Sequence, residues 1–508
     1  MVNIMPASPA TAPTRRGTRK KSGLALWMER VLEECDRVGT EFAADPVHDL
    51  RVALRRCRSV ADGFRAIDPD PSWKQMKKAG KQLFSSLGGL RDAQVMEEWV
   101  RKFGADDDPV THRLLQYLTM GELDLKLQAA EALAKFDHKQ WKRWLVSLPR
   151  RAARVRTGSA IFKHLALERW TEAHELHRRA LRNRSQVAFH SLRIGIKRFR
   201  YIVENFLPEQ HAAWSSDLKD LQDMLGEVHD FDVLWATALQ IKVFSNPESR
   251  AHWHSRIMDE RARRIETYKS KMVGAGSLWQ VWRAELPCGR QIEAAALGRL
   301  KLWGSLLDPD VKHSSHVARL ALQLYDGLPS NRAREEESKQ QRAILQAAAL
   351  LHDVGRSQKK GDPHKATFRL IQRLTPPLGW TAEAMLIAGA AARYHRGALP
   401  GAGQKTLASF TPAERQTIRT LAGILRLANA LDTERDGRIK RVKVDQHKAL
   451  LIVQAEGYSP RDRMAEEIAA GRHLLETIYR RPIMVKAWRP AKTPRVAKSA
   501  MRTLLLSA

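Results

Sequence analysis

Residues 48–64 read HDLRVALRRCRSVADGF, and residues 190–206 read HSLRIGIKRFRYIVENF. One pattern is written twice. His48/His190, Leu50/Leu192, Arg51/Arg193, Arg56/Arg198, Arg58/Arg200 and Phe64/Phe206 match, and Arg55 is answered by Lys197 with its charge kept. Self-similarity at long spacing marks a duplicated structural unit. At about 100° per residue, His48, Arg51, Arg55 and Arg58 fall within an arc of about 80°. Leu50, Ala53, Leu54, Cys57, Val60, Ala61 and Phe64 fall opposite them. In the second copy His190, Arg193, Lys197 and Arg200 share one face, and Leu192, Ile196, Phe199, Ile202, Val203 and Phe206 share the other. Each copy is expected to be an amphipathic helix with one buried stripe and one cationic stripe.

Like charges three and four residues apart repel, and no acid lies within either stripe. An anionic ligand would relieve them. Arginine suits phosphate because its planar fork grips two oxygens, whereas lysine acts as a point charge. His48 and His190 could respond to ligand charge. The repeat continues: residues 87–95 (LGGLRDAQV) match 225–233 (LGEVHDFDV), and Lys81 matches Lys219. Lys74, Lys77 and Lys78 belong to the first copy alone, where the second has Ala212, Ser215 and Ser216. Each unit is therefore a basic helix followed by an LG-x-x-x-D helix. A solvated basic face on an ordinary bundle is the plain alternative; duplication at the same spacing argues against it. The H-x-L-R-x-x-x-[RK]-R-x-R helix, twice, each followed by LG-x-x-x-D, resembles the conserved histidine α-helical domain, CHAD, over roughly residues 20–287. The resemblance implies a two-lobed helical fold with a basic cleft for inorganic polyphosphate. It would place His48, Arg51, Arg55, Arg58, Lys74, Lys77, Lys78, Lys81, His190, Arg193, Lys197, Arg200, Tyr201 and Lys219 at that cleft. His229 stands where the first copy has Arg91, so the cleft is asymmetric.

Composition agrees with a polyanionic partner. Of 508 residues, 87 are Lys or Arg against 56 Asp or Glu, a formal net charge of +31. Charge alone does not choose among polyphosphate, nucleic acid and an anionic membrane. No run of about eighteen apolar residues predicts a membrane span. The opening MVNIMPASPATAPTRRGTRKK lacks the apolar centre of a secretory signal and reads as a disordered basic arm. Cys35, Cys57 and Cys288 are odd in number and scattered, which predicts neither a disulfide framework nor a zinc cluster. The cytoplasm is the default compartment, with polyphosphate granules as a destination if the chain binds that polymer.

Punctuation divides the chain. ADDDP (105–109) reads as a loop, PRRAARVRTGSA as a turn, residues 247–272 as a long charged helix, GAGS (274–277) as a break and LPCGR (286–290) as a linker. The expected organisation is a basic arm at 1–22, a duplicated helical bundle at 23–287, a second helical domain at 288–490 and a flexible basic tail at 491–508. The fold class is mainly α. KRVKVDQHKALLIVQA alternates enough for a short hairpin near the C-terminus, and RRPIMVKAW adds a strand.

The second domain carries its own chemistry. ILQAAALLHDVG (344–355) ends a nearly all-apolar helix in His352-Asp353. Burying that pair without a partner is costly, and imidazole plus carboxylate are natural ligands of a divalent cation. An HD dipeptide alone is weak; another occurs at His229-Asp230. His313 opens an upstream apolar helix and Asp432 closes a downstream one. The order H…HD…D resembles the HD-domain metal-dependent phosphohydrolases, which implies His313, His352, Asp353 and Asp432 as ligands, with His352 and Asp353 catalytic and His316 a competitor for His313. LHDVGR, HKATFRLI, ARYHRGALP and LRLANALD resemble more closely the HD region of the exopolyphosphatase and guanosine-pentaphosphate phosphohydrolase family. By that resemblance His364, Lys365, Arg393, His395 and Arg396 are candidates for a second metal or for substrate phosphate. Ala366 replaces a histidine of that family's pattern, and no stretch resembles its actin-like core. The metal is left among Mn, Mg, Fe, Co, Ni and Zn.

The resulting expectation is a polyphosphate-binding protein with a metal-dependent phosphohydrolase domain. The substrate is polyphosphate or a related molecule such as a nucleotide or guanosine tetra- or pentaphosphate. The alternative is a non-enzymatic protein of polyphosphate granules whose HD module is vestigial or regulatory. Nucleic acid is disfavoured, because Tyr201 alone sits beside a basic stripe where stacking would need interleaved aromatics.

Overall fold

The computed structural model describes residues 23–488 apart from 40–41, 106, 330–334, 402 and 460–461; the expected basic arm and tail lie outside the described residues. These residues divide into two compact units, with the boundary at Leu286/Pro287 and the short 66–69 segment counted with the second. Among them no helix is long and apolar enough to cross a membrane.

The first unit is helical throughout: α1 (Leu24–Val38), α2 (Ala44–Arg65), α3 (Ser72–Phe103), α4 (Pro109–Ala134), α5 (His138–Ala152), α6 (Ala160–Asn183), α7 (Gln186–Phe206), α8 (Pro208–Gln240), α9 (Pro247–Met272) and α10 (Leu278–Ala284). The repeated stretches are α2 with α3 and α7 with α8. Ser185 caps α7 by accepting a hydrogen bond from the Ala188 amide. Asp108 does the same for α4, with Pro109 in the first turn, so ADDDP is both loop and helix start. Every apolar position expected in the two stripes is buried, from Leu50 to Phe64 and from Leu192 to Phe206.

Two helices of the duplicated units, α2 and α7, pack on each other through these stripes. Phe64 stacks on Trp73 with centroids 4.7 Å apart and meets Phe206 edge-on at 5.5 Å. Arg56 pairs with Glu204 at 2.5 Å, and Asn205 donates to the Ser59 hydroxyl at 3.0 Å. Gly63 makes the approach possible, since a Cβ there would lie 2.3 Å from the Phe206 ring. The repeat is thus broken where it must be: Asn205 occupies the position equivalent to Gly63.

The second unit holds α11 (Arg290–Ser305), α12 (Val311–Gly327), α13 (Glu335–Leu351), α14 (Pro363–Gln372), α15 (Ala382–Arg393), α16 (Pro412–Ala430) and α17 (Asp462–Tyr479), with a small sheet of β1 (Val442–Gln446), β2 (Leu451–Ala455) and β3 (Ile483–Ala487). Alanines at 347–349, 388, 390–392, 422 and 428 are buried, and their small side chains let α13, α15 and α16 approach closely. Thr411 and Glu414 form a capping box that starts α16. β1 and β2 form the antiparallel hairpin expected, with Val444 opposite Val453. β3 pairs parallel to β2, Val453 opposite Val485, after the crossover through α17.

Candidate functional site

The cationic side chains of the first unit converge. Lys197 on α7 is buried enough to push its ammonium down to about 8, helped by the positive charges of Arg193, Arg55, Arg51 and Arg58. Three of those four arginines belong to α2, so the two stripes share one field. Arg51 and Arg58 both lie over the ring of Phe84, at 5.0 and 4.5 Å from its centroid. That aromatic floor on α3 spaces the two guanidinium groups and draws on cation–π attraction. Lys197 lies 5.9 Å from the Tyr201 centroid, and the buried Tyr201 hydroxyl has no hydrogen-bond partner among the described residues.

The other expected residues spread outward from this focus. His48, Lys74, Lys78 and Lys81 are exposed, while Lys77 is bound to Asp62 at 2.5 Å. Lys219 is exposed and 3.8 Å from Asp223. Arg200 is half-buried beside Tyr201. Exposed His190 turns its Nδ1 to within 3.4 Å of Nδ1 of His229. Burial, then Arg193 and His190, hold His229 down at about 4, so this imidazole is neutral at ordinary pH.

The expectation that no acid relieves the stripes holds along each helix but not in space. Asp92 on α3 lies in the field of Arg51, and Asp230 on α8 in that of Arg193. These are the aspartates of the two LG-x-x-x-D segments. The motif marked the helices, but a one-dimensional reading did not reveal that they face the arginines. Arg193, Lys197, Gln222, Glu227 and Asp230 line a cavity of about 270 Å³. Burial raises Asp230 to about 6, and the nearby carboxylates Asp92 and Glu227 reinforce this against Arg193 and Arg91. Polyanion affinity is therefore expected to be highest below pH 6. It should fall as Asp230 ionises and again as Lys197 loses its proton near 8. Titrating polyphosphate into the protein at pH 5.5, 7 and 9 checks this. Asp230→Asn should flatten the first step and leave the second.

In the second unit, four helices bring their ends together. The Asp310 carboxylate caps α12 by accepting from the His313 amide at 3.2 Å. His352 and Asp353 follow α13 in a turn that Thr367 on α14 secures; its hydroxyl donates to the His352 carbonyl and accepts from the Gly355 amide, both at 3.0 Å. Gly355 is required there, because a Cβ would sit 1.9 Å from the Pro363 carbonyl oxygen. Ligand atoms of His313, His352 and Asp353 lie within 4.8 Å of one another, and all three residues are buried.

The tautomers follow from the backbone. His352 Nδ1–H donates to the Ala349 carbonyl at 2.7 Å, which leaves Nε2 as a bare lone pair. That atom is buried and without a hydrogen-bond partner among the described residues, 4.0 Å from Asp353 Oδ2. His395 repeats the arrangement: Nδ1–H donates to the Ala392 carbonyl at 2.6 Å and Nε2 lies 3.9 Å from Asp353 Oδ1. Burial lowers the pKa of both rings, so both are neutral. Asp432 lies just beyond α16, where its Oδ2 is 2.7 Å from His313 Nδ1 and its Oδ1 accepts from the Gly437 amide at 3.0 Å. Arg319 donates to His316 Nδ1 at 2.7 Å, leaving Nε2 to carry the proton 4.0 Å from Asp432. His316 is thus in the wrong tautomer to bind a metal through that nitrogen. The residues fit a divalent cation: the neutral imidazoles of His352 and His395 turn free lone pairs toward an ionised carboxylate, and His313, whose Nε2 lies 3.1 Å from Asn429 Oδ1, would join them on releasing that contact.

Burial alone would raise the Asp353 carboxyl, but the Arg435 guanidinium that donates to it holds it below the usual carboxylate range. Arg435 bridges Asp353 at 2.6 Å and Asp310 at 3.0 Å, and Arg356 reaches Asp353 at 3.1 Å. Sequence reading missed Arg435 and Asp310, which lie in turns, and Arg356, which lies in a single 3-10 turn of residues 354–357, all too short for periodicity. Of the candidates for a second metal or phosphate, His395 joins the cluster. His364 is half-buried near Gly397, Arg393 lies over the Tyr394 ring, and Arg396 is exposed. Lys365 is exposed and salt-bridged to Asp362.

Two family models match the chain: the CHAD domain over residues 25–239, and domain III of the Ppx/GppA phosphatases over residues 305–458. A CHAD segment is therefore joined in one chain to a segment of the Ppx/GppA domain III type. No curated protein matches.

Proposed function

We propose that this protein binds inorganic polyphosphate on the paired basic helices of its first unit and is a metal-dependent phosphohydrolase of the HD type in its second. Polyphosphate or a related phosphorylated molecule is its substrate. The observation that carries the binding half is the shared field of Arg51, Arg55, Arg58, Arg193 and Lys197. The catalytic half rests on the buried, unpartnered Nε2 of His352 beside Asp353. His313, His352, Asp353 and Asp432 would hold the cation, with His395 at hand. Bound there, a divalent ion lowers the pKa of water and polarises a phosphoryl oxygen. Asp353 would hold charge in that centre and orient the water. Arg356, Arg393 and Arg396 supply positive charge for phosphoryl oxygens. Tethering the polymer on the first unit raises its effective concentration at the second.

A phosphate-release screen tests this. Polyphosphate, nucleotides and guanosine tetra- and pentaphosphate are offered with Mn, Mg, Fe, Co, Ni or Zn. Release that needs a metal and is fastest with one of these substrates is expected. Inertness toward all of them with every ion favours a second reading: a non-enzymatic polyphosphate-binding protein, of granules for example, whose HD module is vestigial or regulatory. The Asp353–Arg435 ion pair speaks for that reading, since a carboxylate neutralised from within needs no metal.

A further inference from the structure

We propose that Arg435 is the resident counter-ion of the candidate metal centre and leaves Asp353 when a divalent cation enters. The proposal rests on the metal-binding reading above and adds an ordered exchange to it.

Asp353 Oδ2 is the oxygen 4.0 Å from the bare lone pair of His352, and Arg435 Nη2 occupies it at 2.6 Å. A guanidinium carries only donors. It can satisfy the carboxylate but leaves the His352 lone pair orphaned in a buried place. A divalent cation accepts from both. The two occupants exclude each other, because a guanidinium on the liganding oxygen would be held against a second, larger positive charge. Arg435 also has a route out. It is half-buried, on a long side chain, in the turn between α16 and β1. Its backbone φ is +57°, a left-handed conformation unusual for a side-chain-bearing residue. The Arg435 amide donates to the Asp432 carbonyl at 3.0 Å, so one turn carries both a candidate ligand and the counter-ion. Its second hold, Asp310, caps the helix that bears His313. Exchange would free a guanidinium at the edge of the centre for the oxygens of a phosphorylated substrate, so metal precedes substrate.

Two measurements on the full-length protein decide it. Calorimetric titration with Mn²⁺ compares wild type, R435Q, R435K and D353N. R435Q should bind Mn²⁺ at least tenfold more tightly than wild type, with R435K close to wild type and D353N without binding. Phenylglyoxal labelling of wild type, read by peptide mass spectrometry, should rise at Arg435 when Mn²⁺ is added; this does not depend on any variant folding. Equal or weaker Mn²⁺ binding by R435Q, or labelling that does not rise, overturns the exchange while Asp353-dependent binding by wild type keeps the metal reading. Absence of Asp353-dependent Mn²⁺ binding in both wild type and R435Q overturns both.

Discussion

Reversing Arg55, Arg58, Lys197 and Arg200 together to glutamate is expected to lower polyphosphate affinity by at least about 10³-fold at low salt and to flatten its salt dependence by about three units of slope. The affinity of a cationic groove for a flexible phosphate chain comes mainly from released counterions, and each lost contact removes a share of it. The substituted residues point away from the apolar stripes, all of whose positions are buried. The Phe64–Trp73–Phe206 cluster and the Arg56–Glu204 pair that join α2 to α7 remain. The variant should therefore keep its helical circular dichroism and melt cooperatively. Retention on immobilised polyphosphate that equals wild type, from a folded variant, would remove the groove. Duplex DNA of equal charge should compete poorly with polyphosphate for wild type, because the aromatic rings among these cations, Phe84 and Tyr201, are taken up by Arg51, Arg58 and Lys197 and the site offers a ligand charge rather than stacking faces.

The second large effect concerns the metal. Asp353→Asn keeps the volume of the side chain and removes its charge. Losing an outer-shell partner of a metal costs about 10- to 100-fold in affinity, and losing the charged ligand itself costs at least as much. Metal content measured on purified protein should fall accordingly, and any metal-dependent phosphate release should fall with it. The substitution also leaves Arg435 and Arg356 facing a neutral amide. Breaking a buried ion pair costs about 3–5 kcal/mol, and the partial exposure of both arginines reduces that figure. A lower melting temperature without loss of fold is expected. Metal content unchanged in a folded Asp353→Asn protein would separate the metal from this cluster.

How much of this was legible in the sequence depends on the kind of signal. The helix pairs were legible because apolar periodicity over more than four turns leaves little choice of buried face, and the buried stripes agree position by position. Convergence of the two cationic stripes was expected only from the resemblance to CHAD, which implied a shared basic cleft. Its cause, the glycine-to-phenylalanine approach at Gly63 and Phe206, is a contact across 143 positions and leaves no local trace. Asp92 and Asp230 were in view as part of a repeated motif, but whether an aspartate opposes an arginine on another helix is a matter of packing. The His352-Asp353 pair stood out because polar residues ending an all-apolar helix demand a partner. Arg435 did not, since a basic residue in the loop DTERDGR looks like ordinary solvated charge. Lys365, a candidate phosphate ligand by position, also pairs with Asp362 three residues earlier, a contact the sequence order alone did not single out.

The central claim is that both repeats line one groove for one phosphate chain. Calorimetric titration with a short polyphosphate measures it most directly, on wild type and on two variants, Arg55→Glu/Arg58→Glu and Lys197→Glu/Arg200→Glu. One chain bound per protein, with either variant losing it, is the predicted result. Two independent sites, with each variant keeping one at wild-type affinity, would contradict it.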